Sequence, residues 1–418
     1  MPSTQSIDAQ SIAPSPITPS GLGKVVHLTR SIGQNSFGVG QVALNMAAEQ
    51  AKIGVSAVVW SLDSHETAAR ITDTNHYSQN FIRAFPVSWP GSLGFSHGME
   101  QAASSDRLMG TVVVHQHMIW LMYSRIPAIL RANNAAKVVI APHGALDDWA
   151  LRKSRCKKSL ARWMYEDRNL QTADCLQATS EREVSNIRDF GLTNPIALIS
   201  NGVSQSLVNS QGVAGDFRDR FGIPDDRRIM LFISRIAPQK GLPMMLDAID
   251  RLRDRLRNWV FVIGGLDQDG HEREVKARVE QLSLRATVRF VGPLFGQLKR
   301  NAFEAADLFV LPSHCEGSPM IVLEALAAGV PVLTTKAAAW DELAQANCGW
   351  CCEISTAALC DALDDVLTLS ESDLKSMRCN ARRLVAERYT WSNAVQKTVA
   401  LYSWLHGKSD PPQFMVLD

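Results

Sequence analysis

Two glutamates with seven residues between them, Glu316 and Glu324, bracket the run Gly317-Ser318-Pro319-Met320-Ile321-Val322-Leu323. A carboxylate accepts hydrogen bonds from paired hydroxyls, so one glutamate suits the hydroxyls of a sugar and the other those of a ribose. Between them, Ser318 reads as a helix cap and Pro319 as the first helical residue, with Gly329 as the stop. The amides of Ser318, Met320 and Ile321 then face out of a helix start, which is a site for a phosphate. Gly317 belongs to the same turn and to the same candidate site. Upstream, Arg235 and Lys240 supply two cations for a diphosphate, a forked one and a point charge. Singly, each residue has a plainer reading: Glu316 as a solvated loop acid, Glu324 as a surface helix acid. Glu324 resists it, because it lies within the apolar run from Ile321 to Leu326 and a buried carboxylate needs partners.

The amino-terminal half offers small residues and imidazoles. Gly38-Val39-Gly40 leaves room for a ligand at a helix start, although a tight turn fits equally well. A dinucleotide-binding dehydrogenase would want a third glycine, which this loop lacks. His115-Gln116-His117 and Pro142-His143-Gly144 each follow a β-branched run. Such histidines can ligate a metal, but no carboxylate stands at ligand spacing, and strand-end histidines commonly only hydrogen-bond. Cys348-Gly-Trp-Cys351 has the gap of a zinc knuckle without a second pair, so these cysteines read as small hydrophobes. No metal and no cofactor are expected.

These residues must be positioned by a scaffold, and short β-branched runs alternate with amphipathic stretches along the chain. That is the pattern of parallel α/β domains. Strands are expected at Val25–Thr29, Val55–Trp60, Thr111–His115, Lys137–Ala141, Cys175–Ala178 and Ile196–Ile199. The pattern restarts with Ile229–Ile233, Trp259–Ile263, Val288–Val291, Leu308–Leu311 and Val332–Thr335. The chain then divides into a tail over 1–20, a first domain over 21–203 and a polar linker over 204–226. A second domain follows over 227–388, and a final helical segment over 389–418 is expected to pack back on the first domain. Two doubly wound domains would face each other across a cleft, and ligands of open parallel sheets bind at the carboxyl ends of the strands. The expected motifs all lie there.

Composition narrows the function. A net charge of +1 over 418 residues argues against a nucleic-acid binder. No run reaches the roughly 18–20 apolar residues of a membrane span. Met1–Ser20 has no basic start and apolar core, so the cytoplasm is the expected compartment. Between Leu151 and Arg168, seven Lys or Arg face two acids, and Leu160, Trp163 and Met164 share a helical face. This stretch, 151–168, suits either an anionic membrane surface or a solvated face over a packed Trp.

The run Ser234-Arg235-Ile-Ala-Pro-Gln-Lys240-Gly241, followed by Ala306-Asp307 through Glu316 to Glu324-Ala325, resembles the group 1 glycosyltransferases, and the likeness extends over about 24–405. The resemblance implies the two-domain GT-B fold and retaining transfer from a nucleotide sugar to a glycan or lipid-linked glycan. It implies that Arg235 and Lys240 hold the diphosphate, Glu324 the ribose and Glu316 the donor sugar. A strand-end histidine contacts the donor sugar, for which His117 is the choice, with His143 on the acceptor side. Relatives commonly carry Gly-Gly in the first loop, where Phe37 precedes Gly38 here. Many relatives build lipid-linked glycans, so attachment at the inner membrane face is a further expectation. A sugar-nucleotide epimerase of the same fold, or a nucleotide-sugar-binding protein without turnover, are the alternatives; a phosphorylase would carry pyridoxal phosphate on a lysine, for which no motif is seen.

Overall fold

The computed structural model describes residues 22–33, 38–106, 108, 112–204, 207 and 212–417. The expected tail over 1–20 lies outside the described residues. The strands are β1 (Lys24–Thr29), β2 (Ser56–Ser61), β3 (Ile82–Ala84), β4 (Val113–His117), β5 (Lys137–Ala141), β6 (Cys175–Ala178) and β7 (Ile196–Leu198) in the first half. The second half adds β8 (Arg228–Ile233), β9 (Trp259–Gly264), β10 (Val288–Gly292), β11 (Leu308–Leu311), β12 (Val332–Thr335), β13 (Gly349–Cys352) and β14 (Met415–Val416).

They form two sheets. The first runs β14-β7-β6-β5-β4-β1-β2-β3 and the second β10-β9-β8-β11-β12-β13. Every pairing is parallel except β14 with β7. In each sheet the strand order reverses beside the first strand, between β1 and β4 and between β8 and β11. Helices leave the sheet in opposite directions at such a point and open a crevice there. The two domains are thus Rossmann-like units of the GT-B type.

Both faces of each sheet are covered, so strands read as continuous apolar runs. Phe232, Phe261 and Phe309 pack with the buried Val322 and Leu326 of the helix Met320–Ala327 in one core. Burial of such side chains contributes about 1.5–3 kcal/mol each before chain entropy is offset.

Several boundaries differ from expectation. The strand expected at Thr111–His115 runs Val113–His117 instead, because its polar residues are tied to buried partners and do not need solvent. β3, β13 and β14 are short and escaped periodicity. The polar stretch over 204–226 carries a helix, Ala214–Phe221, whose Phe217 is buried in the second domain's core. Arg218 caps the following turn through the carbonyls of Pro224 and Arg227.

The last long helix, Trp391–Leu405, returns to the first domain. Its Trp391, Val395, Val399 and Tyr402 share a core with Val42 and Met46 of the first helix, Val39–Lys52. The two interdomain crossings of the chain touch: Val203 bridges Thr390, and a Cβ on Gly202 would stand 2.4 Å from the carbonyl carbon of Thr390. Only glycine permits that approach. Asn201-Gly202-Val203 is therefore a structural crossing.

Candidate active site

The loop after β8 carries the cations. Arg235 follows the strand, and a short 3-10 turn, Pro238–Lys240, precedes the helix Leu242–Arg251. Gly241 takes a left-handed φ of 67°, and a Cβ there would lie 1.9 Å from Pro312 O, so the loop presses against the one after β11. His314 N donates to Gln239 O (2.8 Å), which closes the pair of loops. The consequence is an ion pair: Lys240 Nζ lies 2.5 Å from Glu316 Oε1, with both side chains 8% exposed. Ser313 Oγ donates to the same oxygen at 2.5 Å. Arg235 donates to Gln268 Oε1 (2.6 Å); burial lowers its pKa and Glu316 opposes that shift.

Pro319 caps the helix Met320–Ala327 rather than opening it, because its ψ of 102° is extended. The helix starts one residue later than expected, and Ser318 makes no side-chain cap. The first amides of any helix lack an intrahelical acceptor, and those of Met320 and Ile321 hold that position here. Ala328 ends the helix, and Gly329 takes the left-handed turn with φ 79°. Glu324 meets Lys299 Nζ at 2.6 Å. Lys299, on the helix Gly296–Ala305, was not singled out from sequence; an amphipathic helix displays many lysines and nothing in its spacing marks this one.

Across the cleft stands the first domain. A Cβ on Gly144 would lie 2.6 Å from the Cα of Gly317, so the two glycines let the backbone of His143-Gly144 pack against that of Glu316-Gly317. His143 itself takes a left-handed φ of 54°. Glu183 holds this loop by accepting from Gly144 N (2.7 Å) and from the Thr179 amide and hydroxyl. Cys315 Sγ donates to Asp147 Oδ1 (3.1 Å), and Arg182 bridges Asp147 to the carbonyl of Lys336. Asp147, Arg182 and Glu183 were missed, since contacts across a cleft leave no periodic signal.

The structure sets His117, expected at the donor sugar, among other imidazoles. His117 is the last residue of β4, fully buried, and both ring nitrogens are engaged: Nε2 with His27 Nδ1 and Nδ1 with His143 Nε2, each at 3.0 Å. His143, next along this line of rings, is half-buried. His27, His115 and His117 bring ring nitrogens within 4.8 Å of one another, close enough to ask whether they hold a metal. Their planes lie only 16–29° apart. Lone pairs lie in the ring plane, so near-parallel rings aim them side by side rather than at one ion. The cluster is built for hydrogen bonding.

Gly38 caps the first helix with φ 97° and, among the described residues, nothing within 4 Å of where a Cβ would be, while Gly40 is buried in its first turn. Cys351 and Cys352 lie on β13, and burial pushes both thiols up to about 11.

Comparison with known proteins decides the family. The family model "Glycosyl transferases group 1" matches residues 214–384, and "Glycosyl transferase 4-like domain" matches 37–202. The chain belongs to the group 1 glycosyltransferases. An uncharacterized glycosyltransferase of Methanocaldococcus jannaschii is 28% identical over 189 residues, 45% of this chain and 47% of that one, so the match spans about half its length. A D-inositol 3-phosphate glycosyltransferase of Kineococcus radiotolerans is 25% identical over 358 residues, 79% of this chain and 78% of that one. Among solved structures, Anabaena HepE in complex with UDP and glucose superposes with a TM-score of 0.73 at 18% identity, covering 91% of this glycosyltransferase and 99% of HepE.

Proposed function

We propose that this glycosyltransferase moves a hexose from a nucleoside-diphosphate sugar to a hydroxyl of a glycan or lipid-linked glycan in polysaccharide assembly, with retention of configuration. The observation that supports it most is the Lys240–Glu316–Ser313 cluster at the second sheet's switch point, facing Gly144 across the cleft. Arg235 and Lys240 would hold the diphosphate and stabilise the charge that collects on it as the glycosidic bond breaks. Backbone amides of the Gly317-Ser318 turn, Met320 and Ile321 would add to that field. With these charges in place, the reading requires no metal ion.

As Lys240 turns to phosphate, Glu316 would be released to accept from sugar hydroxyls. Glu324 would exchange Lys299 for the ribose. His117 would contact the donor sugar and His143 would shape the acceptor side, with Gly38 and Gly40 at the first helix start beside the ligand. Among the described residues no carboxylate stands as a covalent nucleophile, so a same-face displacement is the mechanism we infer. UDP-glucose is the first donor to try, given the neighbour that holds UDP and glucose.

The acceptor side has a membrane-facing candidate. No helix among the described residues is long and apolar enough to cross a membrane. Yet Trp163 is 84% exposed, with Leu160 and Met164 also exposed, among Arg152, Lys153, Arg155, Lys157, Lys158 and Arg162. A π-helical turn, Arg162–Glu166, turns Trp163 outward while Glu166 is buried on Trp120 N and Ser124 Oγ. Exposed apolar groups ringed by lysine and arginine suit an anionic bilayer surface, here the inner face reached from the cytoplasm.

A panel of nucleotide sugars, scored by thermal shift and then by release of nucleoside diphosphate with acceptor, tests the reading. A shift without turnover would favour a binding protein, and conversion to an epimeric nucleotide sugar would favour an epimerase. If no nucleotide sugar moved the melt, the donor assignment would fall.

A further inference from the structure

The loop after β4 is held in a backbone conformation that its residue types resist. Met118 and Trp120 take positive φ values, 70° and 80°, in a region that bulky L side chains avoid. Such backbone persists only where its surroundings over-determine it, and it collects at functional sites. Here the loop's own amides and carbonyls are tied down one by one. Trp120 N donates to Glu166 Oε2 (2.6 Å), and Trp120 O accepts from the Tyr165 hydroxyl (3.0 Å). Met118 N donates to Ala141 O (2.9 Å), and Met118 O accepts from Gln116 Nε2 (2.8 Å) and the Tyr123 hydroxyl (3.1 Å).

Glu166 closes a ring of four buried side chains beneath this loop. Gln116 Nε2 donates also to Ser124 Oγ (2.9 Å), and Ser124 Oγ donates to Glu166 Oε2 (3.0 Å). Asn169 Nδ2 donates to Glu166 Oε1 (2.9 Å) and to Gln116 Oε1 (3.1 Å). The ring ends on two backbone groups that cannot be reversed, the Trp120 N–H and the Met118 carbonyl. They fix the orientation of both amides, so the residue at 166 must accept on both of its terminal atoms. A carboxylate does this. A glutamine would turn an N–H towards Trp120 N and Ser124 or towards Asn169 Nδ2. Burial raises the pKa of Glu166, and the bonds from Asn169, Trp120 and Ser124 oppose that shift.

The loop follows a strand at the first sheet's switch point, the edge where ligands of open parallel sheets lie. Trp120 Nε1 donates to Ala145 O (3.1 Å), next to the Gly144 that packs on Gly317 of the second domain. Ile119 is buried, whereas Met118 and Trp120 are half-buried and keep apolar surface of the kind that meets the C–H face of a sugar ring. We propose that Met118–Trp120 is a wall of the acceptor subsite, and that Glu166 is the positioning residue that keeps this wall in place for the incoming hydroxyl. The proposal rests on the reading of the chain as a hexosyltransferase whose acceptor meets the first domain.

Water is a second acceptor that needs no orienting, so the ratio of transfer to hydrolysis reads the wall. UDP-glucose, or the best nucleotide sugar of the panel, serves as donor, and a set of alkyl hexosides serves as acceptor probe. Glu166→Gln is expected to lower transfer on the order of ten- to a hundredfold and hydrolysis far less, with calorimetric affinity for the nucleoside diphosphate little changed. Hydrogen exchange at the Trp120 amide should be slow in the wild type and fast in that variant. Tyr165→Phe removes a single bond to Trp120 O and should shift the ratio the same way by a few-fold. Equal loss of transfer and hydrolysis in Glu166→Gln would overturn the proposal, as would a fast Trp120 amide in the wild type. Should Glu166→Gln not fold, Tyr165→Phe decides alone, and an unchanged ratio there ends the idea. A wild type that hydrolyses the donor but transfers to no hexoside would overturn the sugar-facing wall and leave the donor reading standing. A wild type with neither activity on any nucleotide sugar would instead sink the donor reading, and the wall with it.

Discussion

The two switch points share a topology and differ in charge. Between β8 and β11, loops bring Arg235, Lys240 and Glu316 together, with Lys240 and Glu316 joined in an ion pair. Between β1 and β4, the equivalent place is filled by His27, His115 and His117, all buried and all held neutral by burial. Strand order decides where loops and strand ends converge; side chains decide whether that point binds an ion or orders a ring. An ion pair out of water is costly unless a ligand later uses its charges. A row of neutral rings costs less, and its value is geometric.

The sharpest way to break the comparison is to remove charge from the second domain. Glu316→Ala should take transfer to background and lower stability by about 3–5 kcal/mol, because Lys240 stays buried without its partner. Combining it with Lys240→Met should recover much of the stability and none of the transfer, read by urea unfolding and by product release. Wild-type rates in Glu316→Ala would remove that carboxylate from the site.

Acid attacks the first domain instead. The folded-state pKa of His27 lies near 4, below its unfolded value of about 6.5. The unfolded chain therefore binds more protons between those values, and stability is full above about pH 6.5 and falls as the pH drops towards 4. The slope is about 1.4 kcal/mol per pH unit for each such histidine, and His117 and His143 shift in the same direction. Urea midpoints from pH 7.5 to 5 would show it, and His27→Asn should flatten the profile. A profile that is flat in the wild type would mean the imidazoles charge without cost.

A smaller effect is expected at Glu324. Glu324→Gln keeps the shape and loses the charge, so donor KM should rise roughly tenfold, about 1.4 kcal/mol, with kcat nearly intact. A fall in kcat at constant KM would move Glu324 from ground-state binding to the transition state.

The second domain was more legible than the first, for a physical reason. Its candidate site residues are charged and follow strands whose apolar runs are unbroken, Arg235, Lys240 and Glu316 in loops and Glu324 in the next helix, so all four stand out in one dimension. Lys137–Ala141 and Leu308–Leu311 were placed to the residue. The histidines of β4 were harder, because polar residues inside a buried strand look like its end. Ending the strand at His115 leaves His117 beyond it, and His27, embedded among apolar neighbours in β1, carries no signal of its own. Gln50 and Lys299 are defined by partners distant in sequence, as is Glu183 through Gly144, and periodicity does not carry such contacts.

The smallest expected change in stability is also the one that fixes which domain meets the acceptor. Trp163 is 84% exposed and lies in a π-helical turn, so it contributes little to the core. Trp163→Ser should leave the melting behaviour within about 0.5 kcal/mol of wild type. Removing an aromatic that would sit at headgroup depth should still weaken co-sedimentation with vesicles containing phosphatidylglycerol or phosphatidylserine. Reversing Lys157 and Lys158 to Glu should weaken it further and make the residual binding insensitive to salt, because attraction to anionic lipid is screened over about 8–10 Å. The wild type staying in the supernatant would leave the basic stretch as a solvated face. Binding that survives both changes would place the contact elsewhere on the molecule. Binding that is lost with them would seat the first domain on the bilayer, so that a lipid-linked acceptor enters from the side of the neutral imidazoles and the donor from the side of the charges.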